Sequence, residues 1–264
     1  MKIGFLQFNP RFGRIEANLC RVRELTGNAS CDLLVLPELF STGYTFRSRK
    51  ELFSMSETVP DGRTTRFLRQ LSIEKRMAIV GGFPERAGKK VYNSALVCLS
   101  DGEFHIYRKK HLYYYEKRFF HVALEPFEPI RMKNGVKLGI IICFDWIFPE
   151  AIRSLSAQGA HIICHPANLV LSFCQDAMIT RALENRVYVV TANRTGIEKR
   201  GRFSNRFTGM SQVVSPEGRI LTKAGEDEEV LSIVRINYRA AENKHITPLN
   251  SVFRDRRKTL YKGI

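Results

Sequence analysis

Dense apolar runs closed by turn residues alternate along this chain with polar, helix-like stretches, and the short runs read as buried strands. Ile3-Gly-Phe-Leu-Gln-Phe8 opens the series; a helical stretch from Glu16 to Gly27 and a second run, Cys31-Asp-Leu-Leu-Val-Leu-Pro-Glu38, follow. Another strand ends at Gly81-Gly82. Val91 to Leu99 and Glu103 to Lys110 flank Ser100-Asp-Gly102, which predicts a hairpin with an Asp-Gly turn. Val136 to Cys143 is an Ile-rich strand bounded by Asn134-Gly135 and Pro149. Pro149 and Glu150 suit a first helical turn, where Pro needs no N–H and an acid meets the positive end of the macrodipole. Ala151 to Gln158 continues that helix, and Gly159 stops it. A late meander passes through Ser215-Pro-Glu-Gly218. Glu85 to Lys90 and Ala224 to Glu229 are short and polar, and read as turns rather than linkers. The pattern predicts a mixed α/β sheet layered with helices; by itself it does not predict two packed sheets.

Three of these strands end in chemistry. Cys143 closes its run and is followed at once by Phe144-Asp-Trp-Ile-Phe-Pro-Glu150, so the thiol stands at a strand-to-helix turn. Free backbone N–H groups at such a turn can lower a thiol pKa and hold an oxyanion. Glu38 ends the second run, and Lys109-Lys110 ends the hairpin. Side chains from different strand ends converge in open α/β sheets, because ligands gather outside the strands' carboxyl ends. Singly, each residue has an ordinary reading: a core thiol, an exposed acid after a proline, a solvated basic strand end. Lys109 and Lys110 face opposite sides of the strand, and the pattern does not choose between them.

Leu36-Pro37-Glu38, Tyr107-Arg-Lys-Lys-His-Leu112 and Cys143-Phe144-Asp145 with Phe148-Pro149-Glu150 together resemble the three signatures of the nitrilase, or carbon–nitrogen hydrolase, superfamily, in that family's order. The resemblance extends to the opening strand, Gly81-Gly82, His165-Pro-Ala-Asn168, and Arg181 to Val187 leading to Thr191-Ala-Asn193. It is nearest to compact bacterial and archaeal amidase-like members. It implies a four-layer αββα sandwich with two mixed sheets between helix layers, and it selects Lys109 over Lys110. It also implies a Glu38–Lys109–Cys143 triad with Glu116 as a fourth catalytic position. Glu38 would be the general base, Lys109 the fixed positive charge, and Cys143 the nucleophile that forms a thioester, helped by the Phe144 backbone N–H. Glu116 would orient Lys109 or the substrate nitrogen. Tyr114, Trp146, His165 and Asn168 are further candidates for contact with substrate, the first two as rings at an entrance, where packing a loop is the competing role.

The implied activity is hydrolysis of a non-peptide C–N bond in a small linear amide, releasing ammonia, with nitriles or N-carbamoyl amines as alternatives and no cofactor. Two departures bear on substrate: Ile147 stands where many relatives have arginine, and His121-Val-Ala-Leu124 follows Phe119-Phe120 where Pro-Gly is frequent. A homodimer or higher homo-oligomer is expected on the same grounds.

Composition fits one hydrolase domain over residues 1–264, with a C-terminal extension from about 245 that could reach a partner. At 264 residues and 44% hydrophobic, the chain can bury a large core. It contains no run of 18 apolar residues, so no membrane span is expected, and Met1 to Phe8 is too short a core for a signal peptide. Six cysteines without framework spacing point to a reducing cytoplasm. His161, Cys164 and His165 resemble a metal cluster, but on a strand the two histidines lie about 13 Å apart, so no metal site is expected. The 42 Lys and Arg against 26 Asp and Glu, a net charge of +16, are not explained by a hydrolase. They raise a competing reading, a basic nucleic-acid-binding protein on a hydrolase fold, which the dispersed charges and lack of a recognition motif disfavour. A milder reading is a substrate bearing a carboxylate, with Arg118, Arg181 or Arg194 as its partner.

Overall fold

The computed structural model describes residues 1–261. The first half runs β1 (Lys2–Gln7), α1 (Ile15–Thr26), β2 (Leu33–Val35), α2 (Arg49–Met55), α3 (Arg63–Lys75), β3 (Ala78–Ala87), β4 (Lys90–Cys98) and β5 (Phe104–Arg108). A short α4 (Glu116–Phe119) leads to β6 (Ile130–Arg131), β7 (Lys137–Ile140), a 3-10 turn (Cys143–Ile147), α5 (Pro149–Ala157), β8 (Ile162–Ala167), α6 (Cys174–Asn185) and β9 (Tyr188–Asn193). The hairpin β10 (Ile197–Arg200) and β11 (Phe203–Arg206) precedes β12 (Gln212–Val214), β13 (Ile220–Lys223), β14 (Val230–Arg235), β15 (His245–Thr247) and β16 (Asn250–Ser251).

Two six-stranded sheets form, ordered β14-β1-β2-β3-β4-β5 and β13-β12-β9-β8-β7-β6. Each has three parallel strands, β1 to β3 in one and β7 to β9 in the other, flanked by antiparallel neighbours. The side-chain period of two assigns the layers. Leu33 and Val35 join Ile3, Phe5 and Val80 in an apolar core shared with Leu138, Ile140, Ile162 and Val190 of the second sheet. Leu34 and Leu36 point the other way, onto Leu19 and Val22 of α1 and Leu68 and Leu71 of α3. On the second sheet, α5 contributes Ile152 and Leu155 and α6 contributes Met178 and Ala182. The architecture is therefore the four-layer αββα sandwich that the resemblance implies. No helix among the described residues is long and apolar enough to cross a membrane.

Three local expectations are corrected. β3 does not end at Gly81-Gly82, and Glu85 to Lys90 is not all turn: the strand continues to Ala87 and pairs with β4 to its end. The glycines serve close approach instead. A Cβ on Gly82 would lie 2.5 Å from the Glu38 Cα, and the Glu38 turn docks there through Gly82 N–H to the Pro37 carbonyl (3.1 Å) and Phe40 N–H to the Gly82 carbonyl (3.0 Å). The Val136 to Cys143 run leaves strand geometry after Ile140, because the Ile142 N–H is diverted to Asp145 Oδ2 at 2.9 Å. The stretch from about residue 245, expected as a C-terminal extension, carries β15 and β16; residues 262–264 of it lie outside the described residues. Just before it, Lys244 Nζ donates to Ser156 Oγ and to the Asn185 and Arg186 carbonyls at 2.9–3.1 Å.

Because backbone meets backbone at Gly82, Gly82→Ala is expected to destabilise the fold by about 1–3 kcal/mol, the usual range for overpacking. The urea midpoint should fall at constant m-value.

Candidate active site

One buried carboxylate builds the scaffold. Asp145 Oδ2 accepts the Tyr107 hydroxyl at 2.7 Å and the Ile142 N–H, while Oδ1 meets the His111 N–H at 3.0 Å and His111 Nδ1 at 2.8 Å. It thereby ties both ends of the Tyr107–His111 segment to the turn that carries Cys143. Charge-assisted bonds of this kind are about twice as strong as neutral ones. Cys143 itself has φ +40°, a left-handed conformation that is costly for a residue with a Cβ and is held only where the surroundings over-determine it. Part of that support comes from His165. Its Nε2 lies 3.1 Å from the Cys143 carbonyl and its Nδ1 3.1 Å from Thr191 Oγ1. Since a carbonyl can only accept, Nε2 carries the proton and Nδ1 accepts from Thr191.

Lys109 follows β5 directly, and its ammonium is fully buried between two carboxylates. Nζ lies 2.7 Å from Glu38 Oε1 and 2.8 Å from Glu116 Oε2. Asn93 Nδ2 also donates to Glu38 Oε1 at 2.7 Å, so that oxygen is saturated, while Glu38 Oε2 is buried and has no protein partner. Glu116 is held by the Tyr44 hydroxyl at 2.8 Å on Oε1 and the Tyr113 N–H at 3.1 Å on Oε2. The Cys143 thiol sits 3.9 Å from the Asn168 carbonyl, and both atoms of the Asn168 amide are buried without partners.

Burial governs the proton positions. Desolvation raises the Glu38 carboxyl to about 7, opposed by Lys109 and reinforced by Glu116. The Cys143 thiol is pushed well above its ordinary value, first by desolvation and then by Glu38, with Lys109 pulling against them. Lys109 would be lowered by burial, but the two carboxylates overcome this and raise it. The resting arrangement is thus a neutral thiol, a carboxylate poised near neutrality and a permanent cation.

A cleft of about 540 Å³ reaches this cluster through Glu116 and is lined by Tyr44, Tyr113, Tyr114, Tyr115, Arg202 and Phe203, among others. The structure brings Glu38, Lys109, Glu116 and Cys143 together and places Tyr114 on the cleft wall. Phe144 packs on Tyr113 at 5.1 Å between ring centroids, and its N–H lies in the first turn of the 3-10 segment, where N–H groups lack intrahelical partners. Two candidates fall elsewhere. Trp146 is buried against Phe173, because the 3-10 turn directs it toward α6, and it does not line the cleft. His165 lies behind Cys143 as a support for its backbone. Of the arginines, Arg194 is buried and paired with Glu198, Arg181 is engaged by Glu184 and the Trp146 carbonyl, and Arg118 stacks on Tyr115 outside the cleft lining. Lys110 instead lies over the rings of Tyr107 and Phe127. Tyr44, Asn93 and Arg202 were missed. Asn93, a polar residue inside an apolar strand, was the one with a sequence signal.

A sequence model described as carbon-nitrogen hydrolase matches residues 2–244. A protein named nitrilase from Pyrococcus abyssi is 41% identical over 264 residues, covering 99% of each chain. The 2-oxoglutaramate amidase of Bacillus subtilis is 30% identical, covering 98% of each. A solved carbon-nitrogen hydrolase from Helicobacter pylori superposes with a TM-score of 0.87 at 27% identity, over 99% of this chain and 97% of that one.

Burial lowers the His165 pKa to about 4, against about 6.5 in an unfolded chain. Between those values the unfolded state binds more protons, so stability falls with falling pH, at a limiting slope of about 1.4 kcal/mol per pH unit. Glu38, raised to about 7, contributes with the opposite sign over much of this range. The His165 loss should therefore be read from chemical denaturation as the change, between pH 7 and 4, in the stability difference between wild type and His165→Asn.

Proposed function

Because this chain belongs to the carbon–nitrogen hydrolase family, we propose that it is a cysteine amidase that hydrolyses small linear amides through a thioester. Glu38 Oε2 takes the thiol proton as Sγ attacks the amide carbon. Lys109 and the Phe144 N–H stabilise the oxyanion. Collapse of the tetrahedral adduct breaks the C–N bond, and the proton on Glu38 passes to the nitrogen, which leaves as ammonia. Glu38 then takes a proton from water, whose oxygen attacks the thioester; the thiolate leaves and regains that proton, giving the carboxylic acid. The observation that carries this reading is the division of labour on Glu38, with Oε1 saturated by Lys109 and Asn93 and Oε2 left as the open base. Glu116 acts by orienting Lys109 and the substrate nitrogen.

The name of the Pyrococcus abyssi relative favours a second reading, nitrile hydrolysis by the same residues. There Sγ adds to the nitrile carbon, and a first water converts the thioimidate to the thioester with loss of ammonia. A homodimer is carried into the proposal on family grounds, and sedimentation velocity would read it directly.

The acyl part is read as bearing a carboxylate, with Arg202 replacing the three arginines first considered. Arg202 is the cation among the described residues lining the cleft, and no carboxylate lies within ion-pair distance of it among the described residues. Its hairpin neighbours Arg200 and Arg206 are paired with Glu51 and Asp227. The 2-oxoglutaramate amidase relative is consistent with such a substrate class.

Ammonia release should be measured across ω-amides of dicarboxylic acids, neutral aliphatic amides, carbamoyl amines and nitriles. Cys143→Ala should abolish turnover, and Lys109→Ala should remove it by at least about 10²-fold, the scale of an oxyanion-hole loss; ammonia release that survives Cys143→Ala would refute the mechanism. Since Glu38 must be ionised to act and its carboxyl is raised to about 7, kcat/KM should rise with pH through an acid limb near 7. Arg202→Gln should raise KM for an ω-amide by about tenfold, the loss of one charge-assisted contact, and leave a neutral amide of equal length unchanged.

A further inference from the structure

No step of that chemistry uses the buried pair Arg194 and Glu198, at the base of the β10–β11 hairpin. Arg194 Nη1 donates to Glu198 Oε2 at 2.8 Å, and Nη2 donates to Asn9 Oδ1 at 2.8 Å and the Pro10 carbonyl at 3.0 Å. The guanidinium also lies 4.1 Å from the centroid of the Phe207 ring. Desolvating such a pair is expensive unless its geometry is good and its other hydrogen-bonding positions are filled. Glu198 fills its positions with backbone: Oε1 accepts the Thr45 N–H at 2.5 Å and the Tyr44 N–H at 3.1 Å. The 43–45 loop comes so close that a Cβ on Gly43, at φ +81°, would lie 2.6 Å from Glu198 Oε2. Asn205 from β11 adds a bond to Thr45 Oγ1 at 2.9 Å. The hairpin therefore clamps the loop from which Tyr44 projects.

Tyr44 is a rigid spacer with two side-chain torsions, so its hydroxyl goes where its backbone is held. That hydroxyl donates to Glu116 Oε1, the oxygen that also receives Lys109 Nζ at 2.9 Å. We propose that Glu198 is a positioning residue for the hydrolytic reaction, which fixes the Tyr44 backbone and through the Tyr44 hydroxyl sets the Glu116 carboxylate against Lys109. The inference rests on the proposed function in taking Lys109 and Glu116 as members of the reacting set. Displacement of a catalytic group by about 1 Å can cost roughly 10²-fold in rate, so a side chain two contacts away can matter to turnover without touching substrate.

The test uses Glu198→Gln, Tyr44→Phe and the double variant, with kcat expressed per active site titrated by iodoacetamide at Cys143. Gln keeps an oxygen for the loop N–H groups and loses the charge that holds Arg194. Both single variants should lower kcat per titrated site by on the order of 10-fold or more, and Glu198→Gln, whose side chain does not line the cleft, should keep KM for a small neutral amide within about twofold. The double variant should be no slower than the slower single one, because both act through one link. If Glu198→Gln does not fold, Glu198→Asp keeps the charge beside Arg194, withdraws it from the loop and should give the same kcat loss. Unchanged kcat per titrated site, or losses that multiply in the double variant, would overturn the proposal. A second readout needs no substrate: the pH dependence of Cys143 alkylation reports the cluster directly. Glu198→Gln and Tyr44→Phe should displace its midpoint equally, and an undisplaced midpoint would also overturn the proposal. Absence of turnover in wild type counts against the amidase reading and leaves the alkylation comparison to decide the positioning role.

Discussion

An ammonium with no access to water, held between two carboxylates, is the constraint around which this molecule is arranged. Lys109 could not remain charged at that depth without Glu38 and Glu116 within 3 Å of it, and either carboxylate alone would be left poorly compensated if the lysine moved. Removing one partner from a buried ion pair costs about 3–5 kcal/mol, so the three side chains stand or fall together. Desolvation raises the Glu38 carboxyl against the pull of Lys109, and desolvation followed by the charge of Glu38 keeps the adjacent thiol protonated.

Much of the surrounding structure serves to deliver those groups to one point from distant parts of the chain. Glu38 arrives on a turn docked against Gly82 of β3, Lys109 from the end of β5, and Cys143 from a strained turn after β7. Asp145 joins the second and third of these in one carboxylate, and its ties to Tyr107 and His111 explain why the lysine and cysteine segments each carry polar residues at buried positions. The facing sheets supply rigidity: their shared core reaches from Ile3 and Val35 to Ile162 and Val190, beneath the strand ends that carry the Glu38, Lys109 and Cys143 segments.

The cleft has a different physical basis. Its walls come from the Tyr113–Tyr115 run, the Tyr44 loop and the β10–β11 hairpin, none of which is a strand of the two large sheets. Buried ion pairs and edge-on ring contacts, such as Glu198 with Arg194 and Phe203 against Tyr115, fix these segments to one another in place of pairing with the large sheets. Recognition can therefore vary while the reacting set stays in place, as is usual for loops on a rigid scaffold.

The strands, the two long helices after β1 and Cys143, and the identity of Glu38, Lys109, Cys143 and Glu116 as candidates were legible in the sequence, because hydrophobic period and signature spacing are local properties. The pairing of two sheets was legible only through resemblance, since a run of apolar residues records that a strand is buried and not what buries it. Gly81-Gly82 and Glu85 to Lys90 were misread for a related reason: a glycine needed for close approach has the same letter as a glycine that ends a strand. Trp146, His165 and Arg194 carry polar or aromatic groups that suit a substrate site, yet Trp146 is taken up by Phe173, His165 by the Cys143 carbonyl and Thr191, and Arg194 by Glu198 and Asn9. Tyr44 and Arg202 went unseen because their importance lies in what they face. Sequence by itself singled out Glu38, Lys109, Cys143 and Glu116 as candidates; tertiary structure decided which oxygen of Glu38 is free, which arginine lines the cleft and which loop holds Glu116, because those are properties of contacts between segments up to 154 residues apart that no local pattern encodes.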